Sequence, residues 1–224
     1  MSVLIVAIDG PAASGKSSVS RQVAAQLGAV HVDTGAVYRG LTWKVLRVSG
    51  SWPEEATVLR LVRATQLDFF LEAGSLRCRL DGADPGLAIR APEIGQQVSH
   101  LAALAPVREW VVAQLRDLVR FGDLVVEGRD IGTVVFPEAP FKFYLDADPA
   151  ERARRRREEM TAAPVAPSLR EVQQALLQRD ALDSRRAASP LYRSADAQLI
   201  DTTRLSIAAV VEEIVRKVQE WKRQ

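Results

Sequence analysis

The chain has 224 residues, enough for one sizeable core with inserted lobes, and 47% of them are hydrophobic, an ordinary share for a globular protein. The formal net charge of +2 gives no global case for nucleic acid or a membrane surface as partner. No run reaches the ~18 apolar residues of a membrane span, and Met1-Ser2-Val3 lacks the charged start of a secretory signal, so the expected location is cytoplasmic. Cys78 is the only cysteine, which excludes an intrachain disulfide and agrees with a reducing compartment. Only five of the 30 basic residues are lysine and no asparagine occurs, a bias that coding preference explains more simply than heat adaptation.

Val3 to Ile8 form an apolar, β-branched run that reads as a buried parallel strand over 3–9. Gly10-Pro11-Ala12-Ala13-Ser14-Gly15-Lys16-Ser17 follows and fits G-x-x-x-x-G-K-[ST], the loop whose backbone N–H groups cradle nucleotide phosphates. Val19, Val23 and Leu27 then repeat every four residues, a helix face closed by Gly28. Strand, loop and helix N-terminus make an anion site. Lys16 would reach the β- and γ-phosphates and Ser17 would hold Mg²⁺. Gly10, Pro11, Ala12, Ala13, Ser14, Gly15, Lys16, Ser17 and Ser18 are therefore the candidate ATP-binding residues. A chance glycine-rich turn is the bland alternative, but both flanks are in place.

A second strand spans 30–33 and carries His31, read as a core histidine rather than a catalytic one. Asp33-Thr34-Gly35-Ala36-Val37-Tyr38-Arg39 follows it. Arg39, about one turn into the next helix, suits bidentate binding of a second phosphate. The plainer readings are a helix cap for Asp33 and a solvated face for Arg39. Residues 34–123 are too many for a structureless loop. Helices are expected over 36–48 and 54–65, a half-buried strand at Leu76, Cys78 and Leu80, and a helix pair over 93–120 broken at Pro106.

The third strand, 124–127, runs into Gly128-Arg129-Asp130-Ile131-Gly132-Thr133. Arg129 suits a phosphate and Asp130 a base or ribose donor, with a local ion pair as the alternative. A fourth strand spans 141–146. Asp148-Pro149-Ala150-Glu151 then reads as a helix start. In the arginine run behind it, Arg154 can pair with Glu158, and Arg155 with Glu151 and Glu159. Arg152 and Arg156 share a face and are less committed to glutamates, which points to an anionic ligand. The run has no interleaved aromatic residues for stacking RNA bases. Arg179, Asp183 and Arg186 fall at i, i+4 and i+7, which reads equally as a ligand-facing set or an intrahelical ion-pair ladder. Residues 198–201 make a fifth strand, and Ile207, Val211, Ile214, Val218 and Trp221 mark one face of the last helix.

Alternating strands and helices imply a parallel sheet covered on both faces. Both long inserts leave from carboxyl ends of strands, where ligands bind in such sheets. With two histidines and one cysteine there is no zinc site. Ser14 has no histidine partner nearby in sequence, which argues against a nucleophilic hydrolase. Lacking asparagine, the chain cannot carry the Asn-Lys-x-Asp guanine reader of a GTPase-type switch.

Taken together, these segments resemble the bacterial cytidylate kinases, a branch of the nucleoside monophosphate kinases. The resemblance spans nearly the whole chain. It rests on Ile8 to Lys16, Asp33 to Arg39, Gly128 to Pro137, Arg179-Asp180 with Asp183-Ser184, Ser189-Pro190-Leu191, and Asp196-Ala197 with Asp201-Thr202-Thr203. It departs at Ser18, at Asp148-Pro149 and in the Ala-Pro stretch after Met160. It implies a P-loop α/β fold with a five-stranded parallel core made of residues 1–35, 121–148 and 197–224. An acceptor-binding insert would span about 36–120 and an arginine-rich lid about 149–196. It also implies transfer from ATP, with Mg²⁺, to CMP and dCMP by a monomer. Carried onto matching positions, Thr34, Arg39 and Arg129 would lie near the acceptor phosphate. Ser99, Arg108 and Asp130 would read cytosine, and Arg179, Asp183 and Arg186 would contact the acceptor sugar and phosphates. Lys16 with Arg152, Arg155 and Arg156 would be the catalytic cations. A kinase for UMP or shikimate remains the rival enzyme reading.

Overall fold

The computed structural model describes residues 3–160 and 167–223. Most of the Ala-Pro stretch expected to shape the lid lies outside the described residues. Five strands run parallel: β1 (Ile5–Asp9), β2 (Val30–Asp33), β5 (Leu124–Gly128), β6 (Phe141–Asp146) and β7 (Gln198–Asp201). Two more, β3 (Leu67–Glu72) and β4 (Ser75–Leu80), extend the same sheet, whose order is β3-β4-β2-β5-β1-β6-β7. The five-stranded, wholly parallel sheet expected from sequence is thus corrected to seven strands. β4 joins β2 in parallel and β3 closes the edge antiparallel. The physical reason is an insert with its own hairpin, which extends the β2 edge of the core sheet. Its turn is Ala73-Gly74, with φ of 48° and 76°. Such a two-residue turn matches the twist of its strands.

Among the described residues there are eight helices, with short 3-10 and π-type turns, and six of them cover the sheet. Helices α1 (Lys16–Leu27) and α8 (Ile207–Lys222) pack on one face with β1, β6 and β7. Helices α2 (Thr34–Ser49), α3 (Glu55–Arg63), α4 (Pro92–Ala103) and α5 (Ala105–Arg116) pack on the other. Along β1, Val6 and Ile8 enter the first layer and Ala7 the second. Burial on both faces is why this strand reads as an unbroken apolar run. The expected helix pair is present, but it breaks at Leu104, and Pro106 sits in the first turn of α5. Proline is tolerated there because the first N–H groups of a helix lack partners anyway.

The chain after β6 leads into α6 (Pro149–Glu159), and α7 (Leu169–Arg185) follows. Asp148 caps α6 by accepting from Ala150 and Glu151 N–H, as its sequence signature implies. Ser168 and Glu171 form a reciprocal capping box on α7. Among the described residues no helix is long and apolar enough to cross a membrane.

Candidate active site

The phosphate loop is built from backbone constraint. Gly10 has φ 147°, and a Cβ there would lie 2.0 Å from the Leu145 carbonyl oxygen, so β6 leaves room for no side chain. Lys16 is buried and its Nζ donates to the Pro11 carbonyl at 2.5 Å. Burial, then the charge of Arg129, push the Lys16 ammonium down to about 7. Ser17 Oγ donates to Glu127 Oε2 at 2.7 Å. Asp33 caps α2 through the Ala36 N–H at 3.1 Å, so the cap reading holds. Burial, then the charge of Glu127, raise its carboxyl above the usual range.

A cavity of about 340 Å³ opens from this loop. Ala12 to Ser18 line one end. Thr34 and Arg39 from α2, Ser99 from α4, Arg108 from α5, Arg129 and Asp130 after β5, and Arg179, Asp183 and Arg186 from α7 and its exit line the rest. The fold therefore gathers nine residues spread over 150 positions around one space. Gly10 and Pro11, at the start of the loop, do not line the cavity.

The end of the cavity away from the phosphate loop is held by ion pairs. Asp130 is buried and paired with Arg108, with Arg186 3.9 Å away on its other oxygen. Asp183 accepts from Arg129 at 3.0 Å and from Ser99 at 3.4 Å. Thr34 donates to the Glu127 carbonyl, and a Cβ on Gly128 would meet the Thr34 hydroxyl at 2.7 Å. Four buried atoms at this end have no hydrogen-bond partner: Arg108 Nε, Arg179 Nε, Arg186 Nη2 and the Tyr38 hydroxyl. Buried donors are rarely left unpaired in a finished structure, so these mark where a ligand's acceptors belong. Burial and the neighbouring Arg129 lower Arg179 to about 9, and burial lowers Arg39, where Arg156, Arg129 and Arg90 add repulsion. An anion would relieve that repulsion.

Several pairings differ from those read in sequence. Arg152 is not free: it is 5% exposed, pairs with Asp180 and donates to the carbonyls of Ala12 and Ala147. Asp180 in turn accepts from the Ala12 N–H, so the two residues grip the phosphate loop from both sides and stand outside the cavity. Arg155 pairs with Glu151 but not Glu159 in the described contacts, and also donates to Thr202. Arg156 takes Glu159 instead, at i+3, and lines the cavity. Arg154 is exposed between Glu151 and Glu158. Arg186 lies past the end of α7 with extended backbone, so Arg179, Asp183 and Arg186 are not one helical face, yet all three reach the cavity.

Two residues escaped the sequence reading. Asp9, at the end of β1, accepts from Ile131 and Gly132 N–H, both at 2.8 Å, and so ties the Gly-Arg-Asp segment to the phosphate loop's own strand. Burial raises its carboxyl to about 6 against those bonds. Glu127, next to last in β5, lies beside Ser17; the register, Ile8 with Glu127 and Asp9 with Gly128, places both carboxylates at the loop. A single acid closing an apolar strand next to the phosphate-loop strand was the available signal.

The donor set suits Mg²⁺ bound mainly by phosphate oxygens. It offers one hydroxyl, Ser17, backed by one carboxylate, Glu127. No group of three or more His, Cys, Asp or Glu that could hold a metal occurs among the described residues.

In fold, the chain is similar to a shikimate kinase from Acinetobacter baumannii in complex with shikimate, with a TM-score of 0.51 at 14% identity, covering 99% of this chain and 96% of that one. In sequence, it is 40% identical over 220 residues to a cytidylate kinase from Pelotomaculum thermopropionicum, covering 98% of this chain and 97% of the relative. A cytidylate kinase from Desulfitobacterium hafniense is 43% identical, over 95% and 91% of the two chains. A bifunctional pantoate ligase/cytidylate kinase from Synechococcus sp. (strain RCC307) matches at 44%, with 43% of its length covered. The cytidylate kinase family model matches residues 6–220, and the chain belongs to that family.

Proposed function

We propose that the chain transfers the γ-phosphoryl group of ATP to the phosphate of CMP or dCMP, giving ADP with CDP or dCDP. The observation that carries this reading is the continuity of one cavity, with the phosphate loop at one end and four buried atoms without a hydrogen-bond partner among arginines and aspartates at the other. An acceptor-phosphate oxygen forms the new P–O bond as the bond to the β-phosphate oxygen breaks. That oxygen is already anionic near neutral pH, so the site needs no general base. Its work is alignment and charge stabilisation.

Lys16 and the N–H groups from Ala13 to Ser18 hold the donor phosphates. Ser17, backed by Glu127, would hold Mg²⁺, which when bound supplies neutralising charge to the donor phosphates. Arg39, Arg129 and Arg179 orient the acceptor phosphate, with Thr34 beside them. Ser99, Arg108 and Asp130 read the base, and Asp183 with Arg186 serves the sugar side. Arg156, with Arg155 as rival, covers the transferring group. Arg152 acts from behind by holding Ala12. Closure of the insert (about 36–120) and the lid (about 149–196) would exclude water, which otherwise competes as acceptor. The reading includes a cytoplasmic monomer.

A coupled assay with ATP and CMP, dCMP, UMP, AMP, GMP and shikimate as acceptors tests it. CMP and dCMP should be the efficient acceptors. Turnover of UMP or shikimate with CMP inert would overturn the reading.

A further inference from the structure

His31 was read from sequence as a packed core residue, and its burial agrees, at 2% exposed. Its hydrogen bonds go further than packing requires. Nδ1 lies 3.0 Å from Ser75 Oγ on β4. Nε2 lies 3.1 Å from Glu127 Oε1 on β5 and 3.1 Å from Ser20 Oγ on α1. The other oxygen of Glu127, Oε2, accepts the Ser17 hydroxyl. One ring thus connects the insert's hairpin to the phosphate loop through a single carboxylate.

The proton placement follows from the network. Glu127 faces a donor on each oxygen, the Ser17 hydroxyl at Oε2 and the His31 ring at Oε1. An ionised carboxylate only accepts, so the ring proton facing it sits on Nε2. Ser17 likewise gives its hydroxyl proton to Glu127, which leaves its oxygen lone pairs for a cation. A leucine or phenylalanine at position 31 would fill the space and donate nothing.

We propose that His31 is a positioning residue for the divalent cation of the donor nucleotide: by holding one oxygen of Glu127 it fixes the other on Ser17, so that the Ser17 oxygen is presented as a ligand rather than a donor. This rests on the donor-site reading above. Outer partners of metal ligands are commonly worth about 10–100-fold in metal affinity.

The test is calorimetry of ATP binding to the full chain without acceptor, once in EDTA and once in excess Mg²⁺. The ratio of the two affinities is the Mg²⁺ coupling, which a general loss of stability does not move. His31→Leu should reduce that ratio by on the order of tenfold while leaving the affinity in EDTA unchanged. His31→Gln, which keeps an N–H donor near the Nε2 position, should recover most of it. A folded His31→Leu with the wild-type ratio overturns the proposal, as does His31→Gln impaired equally. Should His31→Leu not fold, Ser75→Ala decides: it frees the ring at Nδ1 without touching Glu127, and should lower the ratio by roughly threefold. A wild-type ratio there overturns the proposal. If the unaltered chain shows no Mg²⁺ coupling at all, the donor-site reading fails and this proposal with it. A coupling that persists unchanged in the variants removes the role of His31 alone.

Discussion

The two ends of the cavity solve the same electrostatic problem with different materials. At the donor end, a contiguous loop presents backbone N–H groups and one buried lysine. At the acceptor end, side chains from α2, α4, α5, α7 and the segment after β5 converge, and buried ion pairs hold them: Asp130 with Arg108, Asp183 with Arg129. A backbone site is fixed by local geometry, so its cation is dispensable to folding. A side-chain site is held together by the groups that would recognise the ligand, so changing one there disturbs both binding and packing.

The largest effect should come from Lys16→Ala, which we expect to lower kcat by about 10²–10³-fold. Its melting temperature should not fall. Burial depresses the lysine from 10.5 to about 7, so in the free protein its charge is a cost, fully present below pH 7 and relieved as pH rises towards 10.5. A large drop in melting temperature would break the contrast between the two ends. Next, Asp130→Ala should raise the KM for CMP by roughly 10–100-fold and leave the KM for ATP near its original value. It should also lower the melting temperature, because Arg108 is left buried without its partner. Equal effects on both KM values would show that Asp130 does not belong to the acceptor end.

Arg156→Ala sharpens the comparison at the boundary between the ends. It should lower kcat strongly and change CMP affinity little, since the lid's charge acts mainly on the transition state. Arg155→Ala belongs in the same series, as its guanidinium lies beside Gly15. A smaller signal is protonic. Phosphates next to Lys16 should restore its proton, so ATP binding should take up protons at pH 8, where the free lysine is mostly neutral, and few from this group at pH 6. Calorimetry in buffers of different ionisation enthalpy reads this; uptake equal at both pH values would contradict it. The smallest effect should be Arg154→Ala, with kinetics and melting temperature essentially unchanged, because its pairs with Glu151 and Glu158 are solvent-screened.

The same contrast explains what the sequence made legible. The phosphate loop is one local motif, and β1 and β5 are near-continuous apolar runs because both faces are covered. The strand β3 was not legible. Leu67–Glu72 does not alternate cleanly and lies half-buried at the sheet edge. Its turn carries Ala73 at φ 48°, where asparagine or glycine would have announced a hairpin. The partner of Arg152 was hidden for a different reason. Helical spacing reveals only neighbours three or four residues away, and Asp180 lies 28 positions further on, in another helix. Arg156 differs, since its glutamate, Glu159, lies at i+3 and so within reach of helical spacing. The acceptor-end residues were placed together by resemblance and not by spacing, since no local pattern links Ser99 to Asp183 across 84 positions.

The central claim is that one cavity has a donor end and an acceptor end. Binding of a single molecule that joins adenosine to cytidine through five phosphates tests it most directly. One molecule should bind per chain, about 10²–10⁴-fold more tightly than ATP or CMP alone, because the second end is engaged at high effective concentration. ATP and CMP should each displace it. Affinity no greater than that of ATP itself would contradict the account.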